Sequence, residues 1–595
     1  MEYGHFDDER REYVITRPDT PLPWLNYLGQ DDFFGLCTNT AGGYSFWKDS
    51  RLRRLTRYRY NNVPYDLGGR YVYVNDSGSV WNPGWKPVKA SLDSYECRHG
   101  MGYTRITSSK GGLEVELLFF VPPGRNEEVW KVTVRNESGE RKSPRLFSYQ
   151  EFCFFEALND MTNYQRTWSI GEVEVESGSE GGAIYHKTEY RERRNHYALF
   201  ACTRPVAGYD TDRDAFVGLH NGLHEAAVPF AGKCSGSKAF GWNPIGAFQF
   251  DLDLPPGAEE SFAFVLAYVE QGGEPKFDAP CVMNKSVGRQ TLARYRAPGA
   301  VDAAFAELNG FWDGLLSNFQ GELPDEHANR MLNAWNQYQC MATFNFSRST
   351  SMYETGIGRG MGFRDSNQDL LGFVHMIPAR ARERLLDIAA AQLSDGTCYH
   401  QYQPLTKKGN AEIGGDFYDD HLWLALAACA YIKETGDLSV LDEACGYADK
   451  RYEAGPDGKK LEAESLLHHL ETSIAYTMRK RGPRKLPLIG HADWNDCLNL
   501  NCFSKEPNES FQCAGVVNDS QAESVMIAGL FLYASREMAE LYDYMKRPAD
   551  AKRMRSAREE MMTAVESAGW DGEWYRRAYD AFGKPVGSKE CEEGK

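Results

Sequence analysis

Up to about residue 275 the apolar positions fall in short runs with a period close to two. Gly112-Leu113-Glu114-Val115-Glu116-Leu117-Leu118-Phe119-Phe120-Val121 starts in strict alternation and ends in a continuous apolar run before Pro122-Pro123. Glu128-Val129-Trp130-Lys131-Val132-Thr133-Val134 alternates throughout, the period of a half-buried strand. Turn clusters such as Asn75-Asp76-Ser77-Gly78 and Pro255-Pro256-Gly257 punctuate these runs. Many short strands at such spacing, with no helical stretch of comparable strength between them, predict a large antiparallel sandwich. The basic string Arg51-Leu52-Arg53-Arg54-Leu55-Thr56-Arg57-Tyr58-Arg59 reads as a solvated or interface strand.

From about residue 300 the period changes. Val301, Phe305, Leu308, Trp312, Leu315, Leu316 and Phe319 recur every three or four residues, one apolar face of a helix. Similar patterns run through 326–345, 380–394, 418–435, 462–481, 519–545 and 549–568, so this half is predicted to be all-helical, with long loops between the helices. A chain of 595 residues exceeds what one hydrophobic core serves, which fits a multidomain β-then-α organisation.

A net charge of −17 argues against a nucleic-acid partner, whose phosphates need a basic surface. The first nine residues lack the basic start and apolar run of a signal peptide, and no segment carries the long apolar stretch of a membrane helix. The 14 cysteines are scattered without metal or disulfide spacing. A cytoplasmic protein is expected, with no membrane contact and no metal or organic cofactor. Aromatic residues reach 13%. Sugar-binding proteins use aromatic faces in this way, but β-domains favour aromatics too.

Three strings carry candidate chemistry. In Gly356-Ile357-Gly358-Arg359-Gly360-Met361-Gly362-Phe363-Arg364-Asp365-Ser366-Asn367-Gln368-Asp369 the glycines let backbone approach a ligand, while the arginine forks and acids suit phosphate or sugar oxygens. It lacks the Gly-Lys-Ser/Thr of a nucleotide-binding loop. Helix capping accounts for part of it, with Asp365 as a candidate cap, but capping needs no arginines. In Gly490-His491-Ala492-Asp493-Trp494-Asn495-Asp496-Cys497-Leu498-Asn499 two carboxylates flank a tryptophan. Inverting glycosyl transfer needs a protonated carboxylic acid beside the departing oxygen, and a neighbouring indole with partial burial favours the protonated form. The same string also reads as a helix-capping turn. The third string, Asn163-Tyr164-Gln165-Arg166-Thr167-Trp168, has the mixture of a sugar-contacting loop and equally that of a strand edge. His468-His469 has no acid or histidine at helical spacing to make a metal site.

The run Gly358 to Asp369, together with Ala492-Asp493-Trp494-Asn495-Asp496, resembles glycoside hydrolase family 94, and within it the cellobiose phosphorylases. Tyr3-Gly4-His5-Phe6-Asp7-Asp8, Ala41-Gly42-Gly43-Tyr44-Ser45-Phe46, Arg57-Tyr58-Arg59-Tyr60-Asn61-Asn62, Thr162-Asn163-Tyr164-Gln165-Arg166, Tyr399-His400-Gln401-Tyr402-Gln403-Pro404-Leu405 and Asn499-Leu500-Asn501-Cys502-Phe503-Ser504 are similar as well. The resemblance therefore covers essentially the whole chain.

That resemblance implies a β-sandwich over 1–280, a helical linker over 281–320 and an (α/α)6 barrel over 321–595. It implies a homodimer that cleaves cellobiose with inorganic phosphate to α-glucose 1-phosphate and glucose, phosphate being a co-substrate. The general acid falls on Asp496. Arg359, Asp365 and Trp494 fall on positions that hold the non-reducing sugar, and Arg166 on one that reaches the reducing-end sugar. One protein carboxylate then suffices, because phosphate is already an anionic nucleophile and needs positioning rather than deprotonation. Asp369 and Asp493 are expected to be structural or sugar-binding. The family continues beyond the point matched by Lys595 into more helices and a further β-domain, which supply the phosphate-contacting His and Thr, so an incomplete barrel is expected. Two other readings share these residues: an inverting hydrolase, which needs a second acid for water, and a non-catalytic sugar-binding fragment.

Overall fold

The computed structural model describes residues 2–59, 68–162, 172–187, 194–409, 415–449, 463–498, 500 and 521–591. The chain forms two compact units, Met1–Tyr338 with Thr350–Ile357, and Gln339–Ser349 with Gly358–Lys595.

The first unit is an antiparallel sandwich. Among the described residues one sheet has ten strands, in the order Gly4–Asp7, Glu12–Ile15, Ser94–Gly100, Tyr103–Lys110, Leu113–Phe120, Glu127–Asn136, Glu259–Glu270, His196–Cys202, Gly181–Lys187 and Glu172–Gly178. The other has nine, with Arg145–Phe155 at its centre, paired to Pro244–Asp251, Tyr71–Asp76 and Arg54–Thr56. The two strands read most clearly from alternation, Leu113–Phe120 and Glu127–Asn136, are neighbours in register, with Val115 opposite Val134 and Leu117 opposite Val132. Ser77 and Gly78, at φ 54° and 94°, make the tight turn from Tyr71–Asp76 into Ser79–Trp81. Aromatic rings fill the space between the sheets: Phe200 stacks on Phe248 at 5.6 Å and Phe250 packs against Phe262 at 4.6 Å.

The basic string departs from expectation. Arg53, Arg54 and Arg57 are buried, not solvated. Arg57 donates to both oxygens of Asp160, at 2.8 and 2.6 Å, and to Asn243 at 2.8 Å. Arg54 lies 4.1 Å from the centroid of the Tyr44 ring. Arginine tolerates burial when its fork is matched by carboxylates and aromatic faces, and here Asp160 and Asn243 stand 103 and 186 positions from Arg57.

Among the described residues, the longer helices from residue 300 onward are α1 Ala300–Leu316, α2 Asn336–Phe346, α3 Phe363–Leu371, α4 Pro378–Ala389, α5 Asp420–Thr435, α6 Leu466–Arg479, α7 Val525–Tyr544 and α8 Pro548–Ala564. The first, α1, belongs to the sandwich unit, where Phe305 meets Tyr103 and Phe120 edge-on at 5.0 and 5.3 Å. The second unit is a helical domain of (α/α)6-barrel type. Its α5 is buried almost all round, as a helix enclosed by others must be. One helix lies outside the predicted stretches: α3 sits inside the glycine-rich string, and only Phe363, Leu370 and Leu371 mark its apolar side among polar residues. Among the described residues no helix is long and apolar enough to cross a membrane.

Candidate active site

Backbone pairing in the second unit brings four distant segments together. Met361–Gly362 pairs with Gln401–Tyr402, and Phe363 N–H donates to the His400 carbonyl at 2.8 Å. Gly360 is required at this crossing, because a Cβ there would stand 2.4 Å from the Tyr402 carbonyl oxygen. Gly490 bridges to Phe417, and His491 N–H donates to the Asp416 carbonyl at 2.9 Å. The 490–498 loop is thereby tied to the residues that open α5, while α3 packs against α5.

At this meeting point sits Arg364, on the first turn of α3, with its side chain only 5% exposed. Its Nη1 reaches both oxygens of Asp419, at 3.3 and 3.2 Å, and the main-chain carbonyl of Asp493 at 3.2 Å. It also lies 3.7 Å from Oδ1 of Asp420. Its Nη2 donates to Oδ1 of Asp496 at 2.7 Å. Burial alone would weaken the guanidinium as a base, but the surrounding aspartates outweigh it and hold the positive charge more firmly than usual.

Asp419 occupies the N-cap position of α5 without making a capping bond; its oxygens turn to Arg364 and to Trp423 Nε1, the latter at 3.1 Å. Burial and the adjacent Asp420 raise its affinity for a proton despite Arg364. Asp420 accepts from His400 Nδ1 at 2.7 Å, and its Oδ1 is buried without a hydrogen bond. The His400 ring stacks on Phe417 at 4.1 Å. Burial would depress the imidazole, but the Asp420 carboxylate raises it above its ordinary value.

The residues singled out in the sequence sit in unlike surroundings. Asp365 does not cap α3; Gly362 is the N-cap, and Asp365 Oδ2 accepts from Arg359 Nη2 at 2.8 Å. Arg359 Nε is buried without a hydrogen-bond partner. Asp369, one turn on, is salt-bridged to Arg348 at 2.8 Å, and burial raises it to about 7. Arg348 itself holds a left-handed backbone, φ 62°, just before the chain returns to the first unit. Asp493 is fully buried: Arg577 engages both of its oxygens, Ser524 Oγ donates at 2.6 Å and Asn495 N–H at 3.1 Å. Trp494 is 57% exposed. Arg166, with the whole 163–168 string, lies outside the described residues, as do 499 and 501–504. Both ring nitrogens of His469 are engaged, by Gln392 at 2.7 Å and the Cys445 carbonyl at 3.1 Å.

Sequence reasoning passes over Arg348, Asp419, Asp420 and Arg577, and it assigns no separate role to Arg364 or His400 although both lie inside the strings it singles out. The one available signal is the acid pair Asp419-Asp420 ahead of a long apolar helix, and that pattern reads first as capping.

A sandwich of long antiparallel sheets followed by a helical domain carrying acids, arginines and an exposed tryptophan on its loops defines a class of carbohydrate-active proteins. Comparison with known proteins makes the assignment specific. Residues 11–298 match the glycosyl hydrolase 94 supersandwich domain, and residues 311–595 match the catalytic domain of the glycosyl hydrolase 94 superfamily. The chain belongs to glycoside hydrolase family 94. It is 30% identical to an N,N'-diacetylchitobiose phosphorylase of Vibrio proteolyticus, over 100% of this chain and 72% of that protein. It is 27% identical to a solabiose phosphorylase of Paenibacillus borealis, over 100% of this chain and 70% of that protein. A bacterial glucoamylase solved with acarbose shares the fold, with a TM-score of 0.51 at 10% identity, covering 96% of this chain and 73% of that one.

Proposed function

We propose that this protein is an inverting disaccharide phosphorylase acting on cellobiose or a related β-linked disaccharide, with Asp496 as general acid and inorganic phosphate as nucleophile. The observation that carries this reading is the contrast among the four acids of the two strings. All four are paired with an arginine, but the side chains of Asp493, Asp369 and Asp365 are 0%, 2% and 12% exposed, while that of Asp496, held by Arg364 at Oδ1, is 40% exposed. A single accessible carboxyl fits a reaction in which the nucleophile arrives already ionised. The phosphorylase names of the relatives support the same reading.

In this mechanism Asp496 donates its proton to the glycosidic oxygen as the bond from that oxygen to the anomeric carbon breaks. A phosphate oxygen forms the new bond from the opposite face, so a β-linkage becomes an α-glycosyl phosphate. The Arg359–Asp365 pair offers a donor fork and an acceptor for vicinal hydroxyls of the non-reducing sugar, Trp494 offers an exposed ring for a pyranose face, and Arg166 reaches the reducing-end sugar. No metal or organic cofactor takes part. A cytoplasmic homodimer completes the reading.

An inverting hydrolase would need a second carboxylate to activate water. Asp369 has the proton affinity for that role, but its side chain is 2% exposed and one oxygen is held by Arg348. The test is phosphate dependence together with Asp496→Asn, measured as glucose 1-phosphate released from cellobiose, from N,N'-diacetylchitobiose and from other β-linked disaccharides. Phosphate should be obligatory, and the substitution should lower kcat by roughly 10²–10⁴-fold, the usual worth of a general acid. Release of free sugar without phosphate, or retention of more than about a tenth of the rate by Asp496→Asn, would sink the assignment.

A further inference from the structure

We propose that Arg364 is a positioning residue for the general acid, clamping the 490–498 loop at two points at once; this rests on the assignment of Asp496 above. The same guanidinium holds the backbone of that loop at the Asp493 carbonyl, 3.2 Å away, and its side chain at Asp496 Oδ1, 2.7 Å away. Two contacts from one rigid fork fix the orientation of a carboxyl far better than one contact from a flexible amine. Arg364 in turn cannot swing, because Asp419 grips it with both oxygens and Asp419 is itself held by Trp423. Arg577 secures the other side of the loop through the Asp493 carboxylate.

The charge arrangement serves the same end. A guanidinium set against a lone carboxylate would strip it of its proton and disable it as an acid. Here Arg364 faces three carboxylates, two of them buried, Asp419 at the N-cap of α5 and Asp420 at its first position, with His400 against the farther one. Its positive charge is shared with Asp419, which brings both oxygens to it, and more weakly with Asp420, whose nearer partner is His400. Toward Asp496 it acts as an oriented donor more than as an uncompensated cation, and it occupies Oδ1, which leaves Oδ2 to carry and deliver the proton.

The test compares two substrates on one set of variants. Cellobiose has a sugar leaving group that needs the proton, whereas a dinitrophenyl β-glucoside has a leaving group that departs without it. Arg364→Met and Arg364→Lys are assayed for phosphorolysis of both, with Asp496→Asn alongside and thermal unfolding as the check on folding. Arg364→Met should lower kcat on cellobiose by about 10²-fold while the dinitrophenyl glucoside loses less than about tenfold, with KM little changed for either. Arg364→Lys should show the same split at intermediate size, since an ammonium reaches one partner of the clamp. If Arg364→Met fails to fold because it strands Asp419 and Asp420, Arg364→Lys keeps the buried charge and decides the matter. Equal losses on both substrates, or no loss in Arg364→Lys, would overturn the positioning role. If Asp496→Asn shows the split and Arg364→Lys does not, this inference alone falls. If Asp496→Asn keeps its rate on cellobiose, the acid assignment falls and the inference with it.

Discussion

Arg577 engages both carboxylate oxygens of Asp493, with Nη1 2.7 Å from Oδ2 and Nη2 on Oδ1. Asp493 is fully buried, and Arg577 reaches it across 84 positions of sequence from beside the short strand Ala578–Tyr579. The pair anchors the base of the loop whose other end is Asp496. Arg577→Met should therefore destabilise the protein by about 3 kcal/mol, the usual penalty for leaving a buried carboxylate without its partner. Urea unfolding of the variant measures this, and a change within about 0.5 kcal/mol, as at a typical surface position, would show that the pair anchors nothing.

Gly490→Ala should be costly although it adds one methyl group. The backbone there is left-handed at φ 69°, and a Cβ would lie 1.9 Å from the Asp416 carbonyl oxygen. That oxygen is main chain and also accepts from His491 N–H, so it cannot turn aside. Expected are a stability loss of about 1–3 kcal/mol and a drop in kcat, because the loop carrying Asp496 must shift. Wild-type kinetics in the alanine variant would show that the bridge to Phe417 does not position the loop.

Arg359→Lys should raise KM for the sugar about tenfold without loss of folding, roughly the worth of one charge-assisted hydrogen bond. An ammonium replaces a fork that now holds Asp365 with Nη2 and keeps Nε buried and unbonded. Steady-state kinetics in cellobiose and in phosphate check it, with unchanged constants in both demoting the fork to a structural pair.

His400 makes stability depend on pH. Burial lowers its proton affinity, but Asp420 more than compensates, so the folded imidazole titrates above the ordinary 6.5. A raised folded value means that the stabilisation is fully present below about pH 6.5 and is lost as pH rises through the folded value. The Tm advantage of wild type over His400→Gln should then be largest near about pH 5.5 and shrink by about pH 8.5. An advantage that grows with pH would mean that the ring is neutral in the folded protein.

Periodicity makes the two halves of the chain legible because it is local: a residue and its neighbours two, three or four positions away decide which face is apolar. It locates the strand Glu127–Asn136 and the helices α5 and α7 without reference to anything distant. It does not find α3, where buried Phe363 and Leu370 are separated by polar residues and Arg364 and Asp365 are buried against charged partners. The strings around Arg359 and Asp496 stand out by composition and family likeness, so the candidate acid is legible in the chain alone. Its surroundings are not. Arg53, Arg54 and Arg57 read as part of a solvated or interface strand in sequence, yet all three are buried, with Asp160 on Arg57 and the Tyr44 ring on Arg54. Asp419 stands at the N-cap position of α5, yet its oxygens grip Arg364 rather than the helix backbone. Arg364 itself meets Asp496 across 132 positions and Asp419 across 55. A charged side chain carries no mark in sequence of whether water or another ion satisfies it. Burial by distant segments decides that, and here it places three carboxylates around one guanidinium.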